Sequence, residues 1–263
     1  DKMIGSSAAW AAGYTGAGSR IAIIDTGADV DHPSLDPDAL KYALQGSNAT
    51  IMTEADLTDE VLNQLNAYTR KAGLTAADFY VNEKIPFGFN YVDADTDITH
   101  DNDTQGDHGS HVTGIAAGNR FVKDEAGNYV AALDSVMTQG VAPDAQILTM
   151  KVFGKGGGAY DSDYMVAIED AMVLGADAAN LSLGGSFPGY SEYTEEKYRH
   201  ILDEIVGSGM VVTISAGNSG SWFDQTAFGL PYAGSVNWAT NGSPSSYVNS
   251  LCVASVDNAG VTE

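Results

Sequence analysis

Asp25, His108 and Asn218 are the residues whose types and settings could do chemistry together. Asp25 ends an apolar, mostly β-branched run, Arg20-Ile21-Ala22-Ile23-Ile24-Asp25-Thr26-Gly27. Such a run reads as a buried parallel strand delivering a carboxylate at its C-terminal end, where open α/β sheets build their sites. His108 follows Asp107 and opens a run of small residues, Gly109-Ser110-His111-Val112-Thr113-Gly114-Ile115-Ala116-Ala117-Gly118. An imidazole base needs an acceptor on one ring nitrogen to fix its tautomer, and a carboxylate at a neighbouring strand end supplies one. Asn218 stands in a glycine-flanked turn, Ala216-Gly217-Asn218-Ser219-Gly220, behind the apolar strand that ends near Ile214-Ser215. Its neutral amide could donate to a developing oxyanion. Base, orienting carboxylate and oxyanion donor are three of the parts that acyl transfer requires.

Each residue also has a plainer reading that the sequence leaves open. An Asp closing a strand is often a turn or cap residue. Asp25-Thr26-Gly27 also occurs in aspartic proteases, but those need two such carboxylates sharing a proton, and no second copy is present. His108 and His111 lie three apart on one helical face and could be surface residues or a metal pair, although no Glu or further His stands at zinc-site spacing. Asn218 could simply be a left-handed turn residue.

The elements that must hold these residues follow from periodicity. Strands are expected near 20–25, 86–92, 145–152, 178–183, 210–215 and 251–256. Helices are expected at 6–12 (capped by Ser6 or Ser7), 52–73, 108–118, 162–174 and 194–207, with Tyr164, Ile168, Ala171 and Met172 facing inward. This alternation predicts an α/β fold, doubly wound, with a mostly parallel sheet and helices on both faces. No repeat or internal boundary is evident. The fold reads as incomplete at its C-terminal end, because the last strand is not followed by the helix it would normally feed.

Composition narrows the function further. The chain has 263 residues, with 12 Lys plus Arg against 35 Asp plus Glu, for a net charge of −23. That balance repels nucleic acid and anionic membrane surfaces. No apolar run reaches the roughly 18 residues of a membrane span, and no signal peptide is visible. Cys252 is the single cysteine, so no disulfide forms within the chain, and its apolar neighbours Leu251 and Val253 predict a small buried hydrophobe.

Four ordered motifs resemble the subtilisin-like serine proteases, the subtilases. They are Ile23-Ile24-Asp25-Thr26-Gly27 with Asp31-His32-Pro33 behind it, His108-Gly109-Ser110-His111-Val112-Thr113-Gly114, Asn180-Leu181-Ser182-Leu183-Gly184-Gly185, and Ala216-Gly217-Asn218-Ser219-Gly220. The start near Trp10 and the long 36–105 insertion resemble the cell-envelope, lactocepin-type and complement-peptidase-like subgroup. The resemblance implies a serine endopeptidase working through an acyl-enzyme, with Asp25 and His108 in the triad and Asn218 in the oxyanion hole. It also implies that Gly156, Gly157 and Gly158, and across the cleft Ser182, Leu183 and Gly184, wall the substrate.

The family's Gly-Thr-Ser-Met-Ala-like nucleophile turn does not occur in this sequence. The resemblance therefore makes residues 1–263 the N-terminal portion of a catalytic domain. The serine segment and a protease-associated domain are expected beyond 263, reached through nicking into a second chain or removed by truncation. A catalytically dead relative that binds peptides or acts as a scaffold is the alternative. The partners implied are a peptide or protein substrate and that second chain, in an extracellular or cell-envelope setting with autoprocessing. No cofactor is required. The loop holding Asp93, Asp95, Asp97, Asp101 and Asp103 has carboxylates enough for a structural Ca2+, but lacks the turn glycine and closing glutamate of an EF-hand.

Overall fold

A computed structural model describes residues 3–101, 104, 106–185, 192–218, 241–247 and 249–255. The chain forms two compact units, Asp1–Ala179 and Asn180–Glu263. In chain order the first unit contains α1 (Ser6–Ala11), β1 (Arg20–Asp25), α2 (Pro37–Ala43), α3 (Asp59–Leu62), α4 (Asn66–Arg70), α5 (Ala76–Phe79) and β2 (Phe87–Asn90). It continues with α6 (His108–Ala117), β3 (Phe121–Lys123), β4 (Tyr129–Ala131), α7 (Ala132–Ser135), β5 (Gln146–Lys151) and α8 (Asp161–Val173). β6 (Ala178–Leu181) leads into the second unit, which holds α9 (Glu192–Ser208), β7 (Val211–Ser215) and β8 (Leu251–Val253).

The expected α/β class with mostly parallel strands is what the chain adopts. In the first unit β5 is central, pairing in parallel with β1 from Arg20↔Gln146 to Asp25↔Lys151, and with β2 from Phe87↔Leu148 to Asn90↔Lys151. β6 begins beside β1, where Arg20 and Asp177 exchange two 2.9 Å hydrogen bonds. All six residues of β5 are buried, including Gln146, Thr149 and Lys151, as befits a central parallel strand covered on both faces. Ile23 and Ile24 of β1 are at most 1 % exposed, and each such side chain contributes about 1.5–3 kcal/mol by leaving water. In the second unit β7 and β8 pair in parallel, from Thr213↔Leu251 to Ser215↔Val253.

Several local expectations are corrected. The 52–73 stretch is not one helix but a series of short turns of helix. Thr53 with Asp56, and Thr75 with Asp78, close capping boxes, while Thr58 Oγ1 accepts from Val61 N. Each cap offers the backbone a place to stop, so a long helix cannot propagate. Leu57, Leu62, Leu65, Ala67 and Phe79 of this region are nonetheless buried. Asp170 of α8 helps anchor it, accepting from the free amides of Asn66 (2.7 Å) and Ala67 (2.9 Å) at the start of α4, and from Tyr91 Oη (2.9 Å).

α1 starts behind Gly5, at φ +76°, with no side-chain cap, so neither Ser6 nor Ser7 caps it. α2 has Pro37 at its first position, with Asp36 Oδ1 accepting from Asp38 N, a start signal the sequence reading passed over. The antiparallel β3–β4 hairpin was also missed; Tyr42 packs edge-on to Phe121 and stacks on Tyr129 there. Cys252 is exposed, as is all of β8, not buried as its neighbours suggested. Among the described residues β8 pairs along one edge only, and an apolar triplet cannot say whether anything covers its faces.

Candidate active site

The first-unit site is built where the end of β1 meets the start of α6. Asp25 is fully buried, and its Oδ1 accepts from Thr26 N at 2.7 Å and lies 2.7 Å from His108 Nδ1. An ionised carboxylate can only accept, so this contact takes the proton on His108 Nδ1, and in the neutral imidazole Nε2 is then the nitrogen with a free lone pair. Half of the His108 side chain is exposed (51 %), so that lone pair belongs to a reachable imidazole. Asp25 Oδ2 is buried and has no hydrogen-bond partner among the described residues.

Small residues make this approach possible. A Cβ on Gly109 would sit 2.2 Å from Gly27 O, so no other residue fits there without backbone movement. With glycine present, Gly109 N donates to Thr26 Oγ1 at 2.8 Å, joining the helix start to the turn after Asp25. Gly27 has φ +109°, a conformation that side chains disfavour, and a Cβ there would meet Ile98 O at 2.2 Å. Ser110 Oγ accepts from Asp29 N at 2.7 Å, a second tie between the two segments. The far end of α6 is held by amides of 140–142, which donate to the carbonyls of Gly118, Ile115 and Ala116.

Sequence reasoning missed Thr26 and Lys151 as supports. Lys151, 2 % exposed and directly opposite Asp25 in the β1–β5 register, donates from Nζ to Thr26 O. A lysine inside the strand-forming stretch 145–152 was the available signal. Among the described residues no three His, Cys, Asp or Glu side chains gather as a metal ion would need.

The carboxylates of the 93–103 loop are turned onto its own neighbourhood. Asp93 accepts from Asn90 Nδ2 (3.0 Å) and Lys155 N (3.3 Å), Asp95 from Asp97 N (3.0 Å), and Asp97 from Thr99 N and Oγ1. The Thr99 hydroxyl in particular holds the Asp97 carboxyl below its usual range. Asp101 is exposed, and Asp103 lies outside the described residues. Carboxylates spent on local turns do not converge on one point, so the described part of the loop does not fit a Ca2+ cage.

Gly156, Gly157 and Gly158 form the tip of a short hairpin closed by the Phe153↔Ala159 bridge and a 3.0 Å hydrogen bond from Gly157 N to Gly154 O. Gly156 and Gly158 are exposed there. In the second unit, Ser182, Leu183 and Gly184 continue from β6, and Leu183 O accepts from Ser215 Oγ at 3.4 Å. A Cβ on Gly184 would come within 2.9 Å of Ser243 O, so this run is packed against backbone. Asn218 is exposed, three residues beyond β7, after Gly217 at φ +93°. The structure thus brings Asp25 to His108 within the first unit, while Asn218 lies in the second unit, three residues after Ser215, whose hydroxyl reaches Leu183 O.

The subtilase family model matches residues 16–262. The chain belongs to the subtilase family. It is 32 % identical over 256 residues to the PI-type proteinase of Lactococcus lactis subsp. cremoris, covering 94 % of this chain and 12 % of that protein. It is 31 % identical over 224 residues to the minor extracellular protease Vpr of Bacillus subtilis, covering 82 % and 20 %. To the C5a peptidase of Streptococcus pyogenes it is 29 % identical over 242 residues, covering 91 % and 18 %. These relatives match the subgroup that the motifs resemble. The chain spans no more than a fifth of the length of each.

Proposed function

We propose that the protein is a serine endopeptidase that hydrolyses peptide bonds through an acyl-enzyme. The observation that carries this reading is the 2.7 Å contact between buried Asp25 and exposed His108. In the proposed reaction His108 Nε2 takes the proton of a serine hydroxyl as it attacks the scissile carbonyl, then returns it to the leaving amine. Asp25 holds the ring and stabilises the imidazolium. Asn218 and a backbone N–H donate to the oxyanion of the tetrahedral intermediate. Gly156–Gly158 and Ser182–Gly184 are assigned to binding the peptide, chiefly by main-chain hydrogen bonds.

In this reading the nucleophile is supplied by a segment after residue 263, either on a separate chain after nicking or on a segment removed by truncation. The names and family of the relatives support peptide hydrolysis, and the extracellular name of the Bacillus relative supports an extracellular or cell-envelope setting. Among the described residues no helix is long and apolar enough to cross a membrane.

Treating the intact protein with a serine-directed fluorophosphonate, followed by denaturing mass analysis, tests the reading. The expected label sits on a serine downstream of Glu263, on a separate polypeptide. An intact protein that takes no label and cleaves no peptide would leave the peptide-binding, non-catalytic alternative.

A further inference from the structure

Gly156 and Gly158 stand at the tip of the 153–159 hairpin with no packing to hold them: among the described residues, a Cβ on either would meet nothing within 4 Å. Where that tip lies is therefore decided at the base of the hairpin. We propose that Arg70, the last residue of α4, is a positioning residue for substrate binding, its one guanidinium fixing both the seat of the hairpin and its exit. The proposal rests on the peptidase reading above, in which Gly156–Gly158 bind the peptide. It adds a distant residue that governs how well they do so.

The seat is the turn that follows β2. Gly154 is buried against it, and a Cβ there would come within 2.6 Å of Val92 Cγ1 and 3.0 Å of Asp93 Oδ2. Asp93 Oδ2 also accepts from Lys155 N at 3.3 Å. The first residue of the turn, Tyr91, donates from its backbone N to Lys151 O at 2.8 Å, at the end of β5. The exit is the start of α8, which follows Tyr160 directly. All of these residues belong to the first unit.

Arg70 joins seat to exit. Its Nη1 donates to Tyr91 O and to Asp163 Oδ1 (2.6 Å), and its Nη2 donates to Ser162 O at 2.9 Å. The side chains of Asp163 and Arg70 are only 8 % and 25 % exposed, so removing either partner leaves a charge poorly served by water. A planar guanidinium can meet three acceptors at once in a fixed fork, which an ammonium cannot.

Anchoring α4 to the body of the fold does not require this arrangement. Asp170 already holds the start of α4 through Asn66 N and Ala67 N. The donors of Arg70 go instead to the two segments between which the hairpin is hung.

The test compares intact wild type, Arg70→Met and Arg70→Lys by peptide hydrolysis, thermal unfolding and hydrogen exchange read by mass spectrometry. In Arg70→Met, KM should rise about tenfold, the factor by which loss of one charge-assisted hydrogen bond lowers the population of the binding-competent hairpin, while kcat stays within about twofold. Amides of 153–159 should exchange about tenfold faster for the same reason, with those of β1 at the wild-type rate. Arg70→Lys keeps the charge but loses the fork, so it should move KM and exchange in the same direction; it carries the test if Arg70→Met does not fold.

An arginine that only stabilised the fold would lower the unfolding midpoint and leave KM and 153–159 exchange as in wild type. That result in a folded variant overturns the proposal, as does a fall in kcat at unchanged KM. If wild type cleaves no peptide, the peptidase reading fails by itself. Hydrogen exchange then judges Arg70 separately: faster exchange at 153–159 keeps it as the brace of the hairpin, and unchanged exchange removes it.

Discussion

Replacing Asp25 by asparagine is the sharpest probe of the site, because it changes one atom and leaves the volume alone. In the wild type, Oδ1 accepts from both Thr26 N and His108 Nδ1 at 2.7 Å. If the asparagine keeps its oxygen in that position, its NH2 must occupy the place of Oδ2, which is buried without a partner among the described residues. A buried donor without an acceptor costs about 1–3 kcal/mol. If the amide turns over, its NH2 faces the Thr26 N–H, donor against donor. It can then bond only to a lone pair on His108 Nδ1, which moves the ring proton to Nε2 and removes the base. Either route is damaging, and the second is the one that stops chemistry.

The equivalent Asp→Asn change in a Ser-His-Asp protease of unrelated fold lowers kcat about 10⁴-fold, or about 5.5 kcal/mol of barrier. A loss of that order is expected here. The assay is kcat/KM of the intact variant on a peptide substrate, beside thermal unfolding to show that the fold survives. A folded Asp25→Asn protein within tenfold of wild-type turnover would refute the assignment of Asp25 and His108 as a working pair.

Other perturbations test separate parts of the account. Asn218→Ala should lower kcat by about 10²–10³, the loss measured for such an oxyanion donor in subtilisin, with little change in unfolding midpoint; unchanged kcat would remove Asn218 from the site. Gly109→Ala puts a methyl carbon at 2.2 Å from Gly27 O, so a destabilisation of about 3 kcal/mol or more is expected in urea unfolding, and a neutral result would mean that α6 can slide away from Asp25.

Lys84 is wholly buried, its Nζ donating to Pro143 O and Ala145 O, and loss of solvation lowers its pKa from 10.5 to about 7, against a smaller upward pull from Asp144. Between those two values the unfolded chain holds more protons than the folded one, so this residue makes stability rise with pH. Its contribution is full above 10.5 and falls away toward pH 7, by on the order of 4 kcal/mol. Urea midpoints at pH 7 and pH 9.5 should separate in the wild type and draw together in Lys84→Met; an equal separation in both would show that Lys84 is not the titrating group.

Local structure could be read from neighbouring residues. The apolar run 20–25 became β1 with Asp25 at its end, the run 145–152 became a fully buried β5, and the small residues after His108 became α6. These were legible because strand and helix periods are properties of neighbouring residues. The four motifs also carried the family. Where competing local signals stood side by side, as with the threonine caps of 52–79, periodicity alone read one helix where the backbone stops repeatedly.

Features that depend on distant partners emerge only once the chain is folded. Glycine at 109 is demanded by Gly27 O, 82 residues earlier, and Thr26 becomes a helix anchor only when that contact forms. Lys84 is charged in sequence yet sealed in the core, while Cys252 is apolar in setting yet exposed. A cavity of about 700 Å3 brings together residues of 29–35, of α6 with its flanks, and of 136–139, which no spacing rule connects. The physical reason is the same in each case. Burial and cavity shape are set by what packs over a residue, and that partner is chosen by the fold, not by the residues next in the chain.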